Sequence, residues 1–538
     1  MNYRLLSRLL GLIAILIGGT MVFSLPWAFL EGSWSNPCER SGFFGLIGAI
    51  AICLAVGAGL RRFGREEHGQ LFRKEAMAVV GLSWVLATVL GGLPFWLSGT
   101  FRAPDVRMSL VDSMFESQSG FSTTGATVLS ELEDPKMVPR CILFWRSSTH
   151  YLGGLGIIVL FVAILGQGSA GKALMRAEMP GPSHSTPQAR MQHTAWVLFL
   201  IYTGLNAALA FALWLQKIPL FDSLCHAFGT MATGGFSTYN ASVGHFTTDP
   251  NLNGTMIEMT IIAFMVLAGT NFMLLYWMAI RRPGKLFGDL EWRTYVAIIA
   301  VVTAIVLAAG LVHGDFDQYG TSDLAVDGGQ ADGSDEYPIV HGLRYSLFQV
   351  VSLMTTTGFC TDEFEKWNSL SVGLLLTLMF IGGCAGSTGG GMKVIRHLLF
   401  VKILRLEIEQ SFHPSVVRPL RIAGEPVEDQ TLRKNILVYF GLVLIIFTAS
   451  WIFTLGVERD STWTVYEHDV DHKLIDSASC VAATLNNIGP GLGVVGARQN
   501  YGGFSVPSKL LFIWLMMLGR LELFVILVLF VPSFWRSQ

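Results

Sequence analysis

Four stretches of this 538-residue chain end in similar three-residue clusters: Thr123-Thr124-Gly125, Thr233-Gly234-Gly235, Thr356-Thr357-Gly358 and Asn487-Ile488-Gly489. A serine stands twelve residues before each final glycine (Ser113, Ser223, Ser346, Ser477), and Asp112, Asp222 and Asp476 precede three of those serines. The clusters offer backbone carbonyls rather than acids or bases. Glycine permits φ > 0 and a close approach of two backbones, and a ring of carbonyl oxygens can replace the hydration shell of a cation. One Thr-Gly pair would mean little. Four, at glycine-to-glycine intervals of 110, 123 and 131 residues, amount to an internal repeat, which decides a fold reading.

The elements that must carry these clusters are membrane spans. Hydrophobic residues make up 51% of the chain and charged residues only 14%, against ~25% charged in an ordinary soluble chain; mean hydropathy is +0.50. A water-soluble enzyme is excluded. Lys+Arg 37 against Asp+Glu 39 gives no basic excess, so no nucleic-acid partner is expected. Ten segments reach the roughly 20 apolar residues that a span needs: 9–30, 42–60, 76–98, 139–166, 194–215, 256–280, 294–313, 370–400, 436–456 and 507–533. The first is read as a retained helix, not a leader, because it exceeds the 7–15 apolar residues of a signal core.

Basic residues crowd into alternate connections: Arg61, Arg62, Arg65, Arg73 and Lys74; Arg281, Arg282, Lys285 and Arg293; and eight more between Lys393 and Lys434. Segment 314–340 has no basic residue and is rich in Asp. The positive-inside rule therefore puts both termini in the cytoplasm. Each outward connection holding a cluster also contains an apolar stretch of about eleven residues, or roughly 16 Å of helix, half a membrane. Asp at its start reads as an N-cap, and its C-terminal carbonyls, partially negative, would point inward. The expected fold is an all-α polytopic membrane protein: two leading helices (1–66), then four pseudosymmetric repeats of helix, re-entrant hairpin and helix at 67–193, 194–293, 294–432 and 433–538.

The motifs SGFSTTGATVL (119–129), FWRSSTHYLGGLGII (144–158), ATGGFST (232–238), TTTGF (355–359), GGCAGSTGGGMK (382–393) and NNIGPG (486–491) resemble those of the TrkH/KtrB/HKT superfamily of potassium transporters, most closely its bacterial TrkH-type subunits. The resemblance runs over essentially the whole chain. It implies one K⁺ pathway through a fourfold pseudosymmetric protomer in a bacterial inner membrane. It further implies a homodimer and a cytosolic TrkA-like ring that binds nucleotides, with no organic cofactor on this chain. The implied filter residues are Thr123, Thr124, Gly125, Thr233, Gly234, Gly235, Thr356, Thr357, Gly358, Asn487, Ile488 and Gly489. Glycine rather than serine at 125 favours K⁺ over Na⁺ within the family. The fourth cluster departs most from the others, so side-chain amides can approach one quadrant.

Beyond the clusters, Gly382 to Gly391 interrupts the span 370–400. Each interior glycine costs a helix about 1 kcal/mol relative to Ala, so an unwound intramembrane stretch is expected. With Gly386, Gly389, Gly390, Gly391 and Lys393 it reads as a gate below the filter. It is no phosphate loop, because Met392 separates Gly391 from Lys393. Arg520 lies near the middle of the last span, where arginine is costly and faces a cavity or a partner; pathway placement is favoured over pairing with Glu116 or Glu522. Arg146 and His150 read as helix contacts or as function equally well, and Glu116 as a packing or hydrogen-bonded acid. The seven cysteines are scattered, without metal or disulfide spacing. An ion-coupled (H⁺ or Na⁺) secondary transporter is the alternative function. A membrane-embedded enzyme would need a His/Asp/Glu or Ser-based site at an interface, and none is visible.

Overall fold

Asn2 and Asn36 start the first two helices. Asn2 Oδ1 accepts from Leu5 N–H at 3.0 Å, and Asn36 Oδ1 from Cys38 N–H at 2.9 Å, with Pro37 at the first helical position, where its missing N–H costs nothing. The computed structural model describes residues 1–64, 72–156, 188–316, 337–413, 420–422, 425–427, 430–465, 470–521 and 523–536. Most of the acidic insertion 314–340, residues 157–166 of the expected span 139–166, and Glu522 lie outside them.

Tyr3–Met21, continued by the 3₁₀ segment Val22–Ser35, packs along Pro37–Phe63. One order of elements then recurs four times. A long helix is followed by a shorter one and then by a helix that breaks off. The long helices are Arg73–Leu97, Gln188–Leu215, Leu290–His313 and Gln430–Val457. The shorter ones are Leu110–Phe121, Leu220–Met231, Tyr337–Met354 and Lys473–Leu485. Three of these have 12 or 13 residues, close to the expected half-membrane length, and the third has 18.

Among the described residues six helices are long and apolar enough to cross a membrane, and a bent pair would make seven. That pair corrects the reading of 256–280 as one continuous span: Gly254–Ala268 and Phe272–Ala279 meet at 106°. Asn271 accounts for the bend by capping the second piece, its Oδ1 accepting from Met273 N–H at 2.8 Å. Span 507–533 is also discontinuous, ending as Val506–Arg520 and resuming at Leu523–Leu527. The break expected in 370–400 is present, with helix Ser369–Leu378, a non-helical stretch, and helix Val394–Phe412.

Buried apolar side chains form two large clusters. One unites the leading helices with the first and fourth units, and the other unites the second with the third. The four clusters of the sequence lie where these two lobes meet. Strands are confined to two small hairpins among the described residues, Phe101–Ala103 with Val106–Arg107 and Leu420–Ile422 with Glu425–Val427.

Candidate functional site

Each shorter helix ends in the same backbone turn. Thr123, Thr233, Thr356 and Asn487 have φ of +53°, +55°, +60° and +55°, while Gly125, Gly235, Gly358 and Gly489 have φ of +81°, +75°, +77° and +91°. Positive φ is uncommon for a residue with a Cβ, so its recurrence at one position of four segments is a built feature. The N–H between the two positive-φ residues turns back to the helix in every case. Thr124 donates to Ser119 O at 2.9 Å, Gly234 to Gly229 O at 2.8 Å, Thr357 to Ser352 O at 2.8 Å and Ile488 to Ala483 O at 3.0 Å.

The four turns close into a ring. A Cβ built on Gly125 would run into the carbonyl oxygen of Gly234, one on Gly235 into that of Thr357, and one on Gly358 into that of Ile488. One on Gly489 would stand 2.7 Å from the oxygen of Thr124, which completes the circuit. Gly358 is the tightest position and Gly489 the loosest. Among the described residues no donor reaches the carbonyls of Thr124, Thr357 or Ile488, although all three residues are fully buried; the Gly234 carbonyl lies beside the His150 ring. Buried carbonyls without a donor are a standing deficit. All four ring glycines line an open cavity of about 660 Å³ on one side.

Charged side chains bolt the ring together. Glu116 and Arg146 form a buried ion pair at 2.6 Å. Glu116 also accepts from Thr127 Oγ1 at 2.9 Å and Val128 N–H at 3.0 Å, while Arg146 donates to Ser237 O at 2.9 Å and lies 3.5 Å over the Phe236 ring. His150 Nε2 accepts from Phe236 N–H at 3.1 Å, and its Nδ1 meets Gly120 O at 2.8 Å. Arg146 and His150 thus fasten the second turn to the first helix unit. Lys509 pairs with Asp112 at 2.6 Å, joining the fourth unit to the first, and Arg344 with Glu258 at 3.0 Å, joining the third to the second. Asn487 donates to Thr124 Oγ1 at 2.8 Å and Met516 O at 2.9 Å, so its amide does approach one quadrant.

The aspartates differ from their expected role. Asp112, Asp222 and Asp476 lie in the first turn, not at the cap. Ser109 caps the first helix in a reciprocal box with Asp112, the pattern S-x-x-acid. Asp222 accepts from Thr238 Oγ1 at 2.6 Å, and Asp476 from Trp463 Nε1 at 2.9 Å. These acids hold neighbouring segments while also suiting the helix dipole.

On the other side of the ring lies the glycine-rich break. Gly390 N–H donates to Thr356 Oγ1 at 2.9 Å, and a Cβ on Gly390 would stand 2.6 Å from that of Asn487. The segment rests on the bend of the second unit: Cys384 N–H donates to Gly269 O at 2.9 Å, Phe272 N–H to Gly386 O at 3.0 Å and Thr388 Oγ1 to Ala268 O at 3.1 Å. Lys393, buried, donates its Nζ to Gly389 O. Arg520 donates to Thr388 O in the break and to Gly153 O and Gly154 O at the end of the first unit's last helix. Glu116 is engaged by Arg146, and Arg520 is held by carbonyls. Gly386, Gly389 and Arg520 line a second open cavity of about 710 Å³. Among the described residues no group of His, Cys, Asp and Glu could hold a metal ion.

Residues 45–537 match the family model TrkH, described as a cation transport protein. The chain belongs to the TrkH family. Curated relatives agree over full length: a Trk system potassium uptake protein TrkH of Salmonella typhimurium is 36% identical over 541 residues, and one of Halomonas elongata 34% over 550, each covering 100% of both chains. The crystal structure of the potassium transporter TrkH from Vibrio parahaemolyticus superposes with a TM-score of 0.80 at 31% identity, over 100% of both chains. The resemblance read from the six motifs is thereby borne out, and membership of a cation transport family makes the chain a transporter rather than an enzyme.

Proposed function

We propose that this chain takes up potassium, and that the ion passes along the axis of the four-turn ring. The observation that carries the reading is the closed circuit in which each glycine abuts the carbonyl of the next unit's turn. Its four inward carbonyls, three of them without a donor among the described residues, suit a dehydrated cation. Alternating hands of φ turn the intervening N–H back to the helix and leave the oxygens to the other side. The C-terminal ends of the shorter helices, partially negative, approach the same axis. On this reading the first and last parts of each unit, with the two leading helices, make about ten crossings in four pseudosymmetric repeats.

The cavity of about 660 Å³ is then the outer vestibule, and the cavity of about 710 Å³ the inner one. Between ring and inner cavity the 382–393 break, pinned by Arg520, acts as the gate. The guanidinium repels an approaching cation and cross-links two units, so release of its bonds to Thr388, Gly153 and Gly154 precedes passage. The basic connections face the cytoplasm, where a nucleotide-binding TrkA-like ring regulates a homodimer in the inner membrane.

The experiment is growth of a potassium-uptake-deficient bacterium on low K⁺ with the chain expressed. Rescue is expected. Absence of rescue, with protein in the membrane and a Trk-type cytosolic partner present, would overturn the reading.

A further inference from the structure

Glu291 belongs neither to the ring nor to the glycine-rich segment, yet it touches both ends of that segment. It is the second residue of helix Leu290–His313 and is 8% exposed. A single oxygen, Oε1, accepts from Ala385 N–H at 2.8 Å and from Ile395 N–H at 3.0 Å. Ala385 lies near the start of the break, and Ile395 is in the first turn of the helix that follows it, where N–H groups lack intrahelical acceptors. Gly383 O also receives Val394 N–H at 3.1 Å, so the two ends lie side by side under the carboxylate.

The chain just before Glu291 gives this contact its leverage. Residues 280–289 join helix Phe272–Ala279 to helix Leu290–His313 and carry the exposed Arg281, Arg282 and Lys285. Both helices end against the break, one through Phe272 N–H to Gly386 O and the other through Glu291. A displacement of the connection therefore reaches the break through both of its flanking helices.

We propose that Glu291 is a positioning residue that clasps both ends of the 383–393 segment and ties it to the exposed connection 280–289. The inference rests on reading that segment as a gate. With the clasp shut, the segment stays seated under the ring. A partner that draws the connection away removes one oxygen and frees both ends together.

The test uses the full chain in K⁺-loaded vesicles without any partner, comparing Glu291→Ala with the parent. One readout is K⁺ flux. The other is modification of Cys384, 1% exposed in the segment, by a cationic methanethiosulfonate reagent, with the modified site identified by mass spectrometry. Removing the acceptor should raise both the flux and the Cys384 modification rate by about tenfold, the change that ~1.4 kcal/mol produces. Glu291→Gln keeps an oxygen in place and should fall between parent and Ala; it carries the same test should the alanine variant not fold. Faster modification with unchanged flux would uphold the clasp and overturn the gate reading. Unchanged modification, whatever the flux, would overturn the clasp.

Discussion

Substituting serine at each ring glycine should weaken K⁺ over Na⁺ discrimination in an order set by the ring itself. A carbon–oxygen contact closes at about 3.3 Å. At Gly489, where a Cβ would stand 2.7 Å from Thr124 O, the neighbouring carbonyl must retreat by roughly 0.6 Å to reach that limit. The other three positions are tighter, and at Gly358 the built Cβ also stands 2.9 Å from Pro490 Cδ, which blocks escape. Left-handed backbone adds about 1–2 kcal/mol for any residue with a Cβ. A carbonyl displaced from a charged ligand forfeits about 1.5–3 kcal/mol, so the K⁺ preference should fall roughly ten- to hundredfold at Gly358. Gly125→Ser and Gly235→Ser should be intermediate and Gly489→Ser mildest. The assay is competitive flux of K⁺ and Na⁺ in reconstituted vesicles, with thermal melting to show that each variant is folded. Equal selectivity in parent and Gly358→Ser, or a larger loss at Gly489 than at Gly358, would refute the reasoning.

Three further outcomes are expected. Arg520→Ala removes donors to three carbonyls on two units, so K⁺ flux without a partner should rise severalfold; flux at or below the parent level in folded protein would count against the pinned gate. Glu116→Gln strands a buried guanidinium and should cost about 3–5 kcal/mol, seen as a lower melting temperature. Pairing it with Arg146→Met should recover part of that loss, and a double variant less stable than the single would contradict the ion-pair account. Burial, opposed by the Gly493 N–H and reinforced by the charges of Glu363 and Asp476, raises the Glu365 carboxyl, in the connection between helices Tyr337–Met354 and Ser369–Leu378, to about 7. The folded state therefore binds more protons than the unfolded one between the ordinary value of 4.5 and about 7, so stability falls as pH rises across that window; Glu365→Gln should flatten this dependence of the melting temperature.

What could be read from the chain was whatever repeats or is locally encoded. The four Ser-to-Gly segments are legible because the same spacing recurs, and the 382–391 break because six glycines cannot sustain a helix. The bend at 269–271 and the helix end at Arg520 look like ordinary span interior, since one glycine in an apolar run is tolerated; at the bend, long-range bonds to and from Cys384 and Phe272 decide the matter. The capping box is written in the sequence as Ser109-x-x-Asp112, but the recurring Asp-Ser pair points to a cap three residues late. Arg146 and His150 have partners some 30 and 90 positions away, beyond any local pattern. An arginine and a glutamate both within apolar stretches did carry a signal, because such charges seek each other.

On the proposed reading K⁺ passes along the axis of the ring formed by the carbonyls of Thr124, Gly234, Thr357 and Ile488. Crystals grown in Rb⁺ and measured at its absorption edge test it most directly. An anomalous peak enclosed by those four oxygens, diminished by Gly358→Ser, is expected. Its contradiction would be protein active in Rb⁺ transport whose ring is empty while the anomalous signal lies elsewhere.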